Sequence, residues 1–83
     1  MIVNINLPDI TAEGDKQIMI ERDGQKMTVC YGDLQIGDMY YFADQGIPRR
    51  YRVIDIGGTP EGTAEITTET VEFRMGSLYD STV

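Results

Sequence analysis

The 83-residue chain contains no histidine, no tryptophan and a single cysteine. Without histidine there is no imidazole to activate a serine or cysteine nucleophile or to bind a metal ion. One cysteine cannot form a disulfide within the chain, and it cannot supply the three or four thiolates of a cysteine-only zinc site. We therefore expect no enzyme activity, no metal and no cofactor.

Positive charge and long hydrophobic runs are also scarce. Seven Lys and Arg residues face 14 Asp and Glu residues, which gives a formal net charge of −7. This balance argues against a general binder of nucleic-acid backbones, whose affinity needs clustered Lys and Arg. No apolar run approaches the roughly 20 residues of a membrane helix, and the N-terminus lacks the cationic start of a signal peptide. We expect cytoplasmic synthesis and no membrane partner.

Alternation of apolar and polar residues is the dominant pattern, as in Val3-Asn4-Ile5. It predicts an all-β fold, namely a small antiparallel barrel or sandwich of SH3-like or OB-like size. We expect about six or seven short strands with extended N- and C-terminal arms, in a single domain over residues 1–75 followed by a tail over 76–83. The predicted strands lie at 3–7, 18–20, 27–31, 39–42, 51–56, 64–67 and 71–75.

The dipeptide Asp23-Gly24 predicts a β-hairpin with a type I′ turn, because both central residues of that turn need a positive φ. The resulting register aligns opposite charges across the two strands and places apolar partners on one face. The predicted pairs are Arg22 with Gln25, Glu21 with Lys26, Ile20 with Met27, and Ile18 with Val29. Further connections are predicted at 44–48 and 57–62.

The apolar parity changes near the C-terminal end of the strand pattern. Ala64 and Ile66 are even-numbered, whereas Val71 and the apolar residues after it are odd-numbered. Between Thr67 and Thr70 we expect a β-bulge, a strand that bends from one sheet into another, or a four-residue turn.

The run Leu34-Gln35-Ile36-Gly37-Asp38, followed by the strands at 39–42 and 51–54, resembles a step found in many small β-barrels of SH3-like or OB-like type. In those barrels a hydrophobic-Gly-Asp step opens a strand that pairs with the next one. The resemblance implies no function, because such folds carry many. Asp33 and Asp38 flank residues 34–37, and we expect each to accept a backbone N–H in a turn rather than to bind a metal.

Arginine and tyrosine are concentrated in one part of the sequence. Arg49, Arg50 and Arg52 surround Tyr51, shortly after a Tyr-Tyr-Phe run. Both residue types are enriched at interface hot spots. The alternative is a solvated strand start whose arginines pair with nearby carboxylates. The predicted partner-binding residues are Tyr40, Phe42, Arg49, Arg50 and Tyr51, with Leu78 and Tyr79 as anchors in the tail.

These features favour a non-enzymatic structural or interaction module, which binds copies of itself or another protein. We expect a homo-oligomer, or a small subunit or decoration protein of a larger assembly such as a phage particle, in which case its final location is the virion. One alternative is an acidic inhibitor that mimics nucleic acid and blocks a host defence protein, with its acids along one face. Another is a small barrel that binds nucleic acid through Tyr40, Tyr51 and the arginines. In the inhibitor alternative, the acidic residues expected along one face are Glu61, Glu65, Glu69, Glu72 and Asp80.

Overall fold

The computed structural model describes residues 1–44 and 46–71, and within them the chain is all-β, as predicted. A single 3-10 turn at Tyr31–Asp33 separates the fourth and fifth strands. In the described part of the chain, no helix is long and apolar enough to cross a membrane. The strands are β1 (Ile2–Ile5), β2 (Ile10–Glu13), β3 (Gln17–Arg22), β4 (Gln25–Cys30), β5 (Met39–Asp44), β6 (Ile47–Gly58) and β7 (Ala64–Val71).

The strands form one sheet in the order β2-β1-β7-β6-β5-β3-β4. The sheet is mixed rather than purely antiparallel, because β1 runs parallel to β7 with Ile5 opposite Ile66. The N-terminal segment is therefore a strand inside the sheet and not an extended arm. Val3 and Ile5 place it there, since both side chains are buried in the core. The predicted boundary between residues 75 and 76, and the C-terminal arm, lie outside the described residues.

The sheet curls but does not close into the predicted barrel. The short connection between β2 and β3 joins the first strand of the sheet order to the last but one, so the two ends of the sheet approach each other. There the Gly32 N–H donates to the Gly14 carbonyl at 2.9 Å. A Cβ at Gly32 would lie 2.7 Å from the Met1 side chain and 3.2 Å from that carbonyl oxygen, so a larger residue here would require both to shift. Among the described strands, no ladder continues from this contact, and the sheet stays open.

The Asp23-Gly24 hairpin has the predicted geometry. Asp23 has φ of 54° and Gly24 has φ of 79°. The pairing of β3 with β4 matches the predicted register at every position, including Glu21 opposite Lys26. The two turn residues were therefore sufficient to predict this register.

A β-bulge lies opposite the position where the sequence predicted an irregularity. Thr68 pairs with Val53 and Thr67 pairs with Asp55, so Ile54 is the extra residue. The bulge is thus in β6, and β7 runs without interruption through Thr67 and Thr70. The inward positions of β6 consequently change from odd to even numbers along the strand.

The core lies on the concave face of the curled sheet and depends on two stacked tyrosines. The Tyr40 and Tyr51 rings lie 5.5 Å apart between centroids, at an interplanar angle of 23°. The Tyr40 hydroxyl donates to the Leu7 carbonyl at 2.8 Å, which satisfies its polar end inside the core. The buried apolar residues that pack together are Val3, Ile5, Ile20, Leu34, Tyr40, Tyr51, Val53 and Ile66.

A buried ion pair holds the β3–β4 hairpin against the start of β5. Arg22 donates from Nε and from a terminal nitrogen to the two oxygens of Asp38, each at 2.8 Å. Asp38 is only 1% exposed and also accepts the Gln35 N–H at 2.8 Å. This confirms the predicted turn role of Asp38. The hydrogen bond that Arg22 donates to Asp38 raises the pKa of Arg22 above its ordinary value.

Candidate interaction surface

The C-terminal part of β5 and the N-terminal part of β6 form a two-stranded ribbon, defined here as residues 41–44 and 47–50. Tyr41 pairs with Arg50 and Phe42 pairs with Arg49 within it. Within residues 1–44 and 46–71, the ribbon extends past the paired parts of its neighbours: β3 pairs with β5 only at Met39, and the described pairing of β7 with β6 ends at Arg50. Every side chain described between Tyr41 and Arg49 is exposed.

The exposed surface of the ribbon is largely apolar. Tyr41 is 64% exposed, Ile47 is 57% exposed and Phe42 is 38% exposed. Successive strand residues point to opposite faces, so Tyr41 lies on the outer face and Phe42 on the face that continues into the core. The ribbon therefore offers apolar contact area on both of its faces.

Arg50 sits at the base of the ribbon on the outer face. Its guanidinium carbon lies 5.5 Å from the centroid of the Tyr41 ring, a cation–π distance. A terminal nitrogen is 3.7 Å from a carboxylate oxygen of Glu21. Its Nε is buried and has no hydrogen-bond partner among the described residues. Arg50 thus holds Tyr41 in place and is incompletely paired.

Two depressions adjoin the Tyr41–Arg50 pair, one on the outer face and one along the edge of β6 with residues of both faces in its lining. One is a cleft of about 250 Å³ between the diverging strands β3 and β5, with Met19, Met39 and Tyr41 on its walls. The other is a groove of about 410 Å³ whose lining includes Pro48 and Val71. Both have an apolar floor with a cation at the rim, a lining that suits a protein side chain.

The structure corrects two of the predicted contact residues. Tyr40 is 2% exposed and Tyr51 is 4% exposed, so both belong to the core. They face each other across β5 and β6 on the concave side of the sheet. The hydrophobic run at 39–42 is apolar on both faces, and sequence alone did not show which face is buried.

The other predicted contact residues have different outcomes. Phe42, Arg49 and Arg50 lie together on the ribbon, and Phe42 and Arg49 are directly opposite each other. Leu78 and Tyr79 lie outside the described residues. Sequence reasoning missed Tyr41 and Ile47, which are the most exposed apolar residues of the ribbon. The parity of the hairpin would have indicated Tyr41, because burial of Tyr40 turns its neighbour outward.

Two of the clustered arginines are paired with carboxylates, as the alternative interpretation proposed. Arg52 donates to Glu69 at 2.6 Å from its terminal nitrogen, and Arg50 approaches Glu21. Glu65 and Glu69 share the outer face of β7, roughly 13 Å apart along the strand. Because Arg52 neutralises Glu69, these two acids do not form a bare negative row. Arg49 has no ion pair with any described residue.

Comparison of the chain with models of known protein families, with curated proteins and with solved structures finds no match. In residues 1–44 and 46–71, no three His, Cys, Asp or Glu residues cluster in a way that could hold a metal ion. The geometry of the ribbon is therefore the main basis for a functional proposal.

Proposed function

We propose that this chain is a non-enzymatic interaction module that binds other protein subunits through its ribbon. The observation that carries the proposal is the exposure of Tyr41, Phe42 and Ile47 on a ribbon that extends beyond the core. Within the described residues this part of the sheet has only two paired strands. A two-stranded ribbon by itself is marginally stable in water. A partner that covered these side chains would stabilise the ribbon and supply binding energy through the same contact.

Contact chemistry at the ribbon suits a protein partner. Burying a fully exposed Phe or Ile side chain contributes about 1.5–3 kcal/mol, and the partly exposed Phe42 offers a fraction of that. Arg49 adds a cation at the rim that can bind a partner carboxylate, and Arg50 is already oriented by Tyr41. These are anchor residues of the kind that dominate interface energetics.

The assembly that we propose is one with many identical positions, such as a phage particle, where the chain is a small subunit or decoration protein. In such a particle each position presents the same neighbours at high local concentration, so a contact of modest area is sufficient. The proposal places the recognition surface at one end of the molecule and leaves the acidic body facing solvent.

Thermal unfolding tests the proposal. Ligands that bind only the folded state raise the melting temperature with concentration. We expect the Tm of the full chain to rise with its own concentration or with added assembly subunits. The rise should disappear when Tyr41→Ser, Phe42→Ser and Ile47→Ser are combined. Ile36→Ser is the matched control, since Ile36 is 64% exposed but lies outside the ribbon. A Tm that ignores concentration and partner, or that responds alike in both variants, contradicts the proposal.

A further inference from the structure

The free edge of β5 has a length and sequence that match a second copy of itself. β3 pairs with β5 at Met39 alone and then diverges from it, so the other five of its six residues, Tyr40 to Asp44, pair with no described strand on that side, and a cleft separates Tyr40 and Tyr41 from Met19 and Ile20 of β3. In an antiparallel pair, alternate residues direct both backbone groups to the same side, so the open edge carries unpaired N–H and C=O groups. Such an edge is a template for strand addition.

We propose that two copies of this chain pair antiparallel through the edges of β5, with Phe42 of each copy facing Phe42 of the other across a two-fold axis. This names the partner for the ribbon and rests on the proposed function. Phe42 is the midpoint of the open stretch from Tyr40 to Asp44. Full overlap of two such stretches therefore aligns residue 42 with residue 42.

The side chains independently agree with this register. Directly opposite residues share one face, so the alignment also sets Tyr41 of one copy against Ala43 of the other. A large side chain then meets a small one on the outer face, while an aromatic pair forms on the other. Shifting the register by one step to centre on Ala43 would separate the two Phe42 residues and set Tyr41 opposite residue 45, beyond the end of β5. Either register sets Asp44 opposite an aromatic residue, so the Phe42 pair and the two Tyr41–Ala43 pairs are what favour the overlap centred on residue 42.

Electrostatics favour this end of the molecule for self-association. The chain carries a net charge of −7, yet residues 41–50 contain two arginines and one aspartate. A two-fold contact through the acidic body would bring two surfaces of like charge together. Antiparallel pairing of the ribbons places the two acidic bodies beyond opposite ends of the new strand pair, where a Debye length of about 8 Å screens much of their repulsion at physiological salt.

The contact is small, and we expect a weak dimer. Stable interfaces bury about 1,200–2,000 Å², and a short strand pair lies at the low end of that scale. Sedimentation of the purified full chain, between about 10 µM and 1 mM, should show the mass rising from 9.3 kDa toward twice that value. A chain that stays monomeric over this range overturns the inference.

Matched substitutions distinguish strand pairing from non-specific hydrophobic association. Phe42→Lys sets two lysines against each other across the axis and should keep the chain monomeric. Ile47→Lys makes the same change at a more exposed residue, 57% against 38%, but one strand away from the axis. It should weaken association by less than about threefold. Equal losses in the two variants overturn the inference, whereas the ribbon would remain a contact surface as the proposed function requires.

Disulfide trapping tests the register without relying on charge. In a Cys30→Ser background, Phe42→Cys should form a covalent dimer in a glutathione buffer, because directly opposite Cβ atoms lie about 4.5–5.5 Å apart. Tyr41→Cys in the same background places the two cysteines roughly 8 Å apart and should trap at least about tenfold less dimer. Tyr41 is more exposed than Phe42, so random collisions would give more covalent dimer with Tyr41→Cys than with Phe42→Cys. A higher yield of covalent dimer with Tyr41→Cys would overturn the inference.

Failure of the inference and failure of the proposed function can be told apart. A purified chain that is monomeric, but whose Tm rises with assembly subunits in a ribbon-dependent way, has a partner other than itself. A Tm that responds to neither copies nor subunits contradicts both.

Discussion

Tyr40 combines a buried ring with a buried hydroxyl, and its environment opposes ionisation. Burial raises the pKa of Tyr40 to about 12 from its ordinary value of 10.0, although a hydrogen bond with Thr68 acts in the opposite direction. Burial likewise raises the pKa of Tyr31. Both phenols sit against the core, so their neutral forms are part of the folded state.

A pH dependence follows at the residue scale. Between about pH 10 and pH 12 the unfolded chain loses the Tyr40 proton while the folded chain keeps it. The stabilisation is complete below pH 10, and the free energy of unfolding should fall as the pH rises toward 12. Urea titrations across this range measure it. Tyr40→Phe should reduce the slope and Tyr41→Phe should leave it unchanged; equal slopes in the two variants would argue against this account of Tyr40.

Asp38 is the other residue with a large structural role. It accepts hydrogen bonds from Arg22 and from the Gln35 N–H while being almost completely buried. Asp38→Ala should leave the Gln35 N–H without its partner and lower the Tm by roughly 10 °C. Asp33→Ala is the control, since the Asp33 side chain is exposed and only its backbone carbonyl meets Arg22. Calorimetry of both variants checks this, and similar Tm losses would contradict it.

At the scale of single elements, the β3–β4 turn depends on backbone conformation rather than on packing. A Cβ added at Gly24 or at Gly57 would meet no atom within 4 Å. The two positions differ in φ: Gly24 has φ of 79°, whereas Gly57 lies in β6 without a positive φ. The same substitution at these positions therefore isolates the conformational cost.

We expect opposite effects from this pair. Gly24→Ala should destabilise the fold by about 1–2 kcal/mol, because an L-residue with a side chain disfavours the left-handed region. Gly57→Ala should be neutral or stabilising by up to about 1 kcal/mol, since it restricts the unfolded chain at a compatible site. Denaturant unfolding measures both, and a larger loss at Gly57 would refute the assignment of the turn.

Elements whose geometry depends on residues close together in the sequence were predictable. Elements whose pairing depends on segments far apart in the sequence were not. The Asp23-Gly24 turn determines its own register, and the register was predicted correctly. The parallel pairing of β1 with β7 joins segments far apart in sequence, which alternation alone cannot reveal. β2 was missed because its short strand offers only Ile10 and Ala12 as an apolar alternation.

The bulge and the candidate surface had signals that could have been used. In β6, Val53 is followed directly by Ile54 and then by Ile56, so the parity change is visible in this strand. The short turn between β5 and β6 sets Tyr40 against Tyr51, and a chain with so few large apolar residues needs both in its core. Burial of Tyr40 turns its neighbour Tyr41 toward solvent, and this would have identified the ribbon.

At the scale of the whole molecule, the architecture separates an ordinary small core from an end that is built for contact. The body buries its apolar residues on the concave face of the sheet and carries most of the acidic charge. The ribbon reverses both properties, with exposed Tyr41 and Ile47 and with arginines at its base. Contact through the ribbon is the central claim, and it depends on those side chains being covered in the working protein.

The mass of the native species tests that claim most directly. The full chain, its ribbon variant with Tyr41→Ser, Phe42→Ser and Ile47→Ser, and the Ile36→Ser control should be sized by light scattering, alone and in lysate of the producing cells. We predict that wild type and control occur in species heavier than the 9.3 kDa monomer, while the ribbon variant stays monomeric. A 9.3 kDa monomer in all three cases, or equal masses for the two variants, would contradict it.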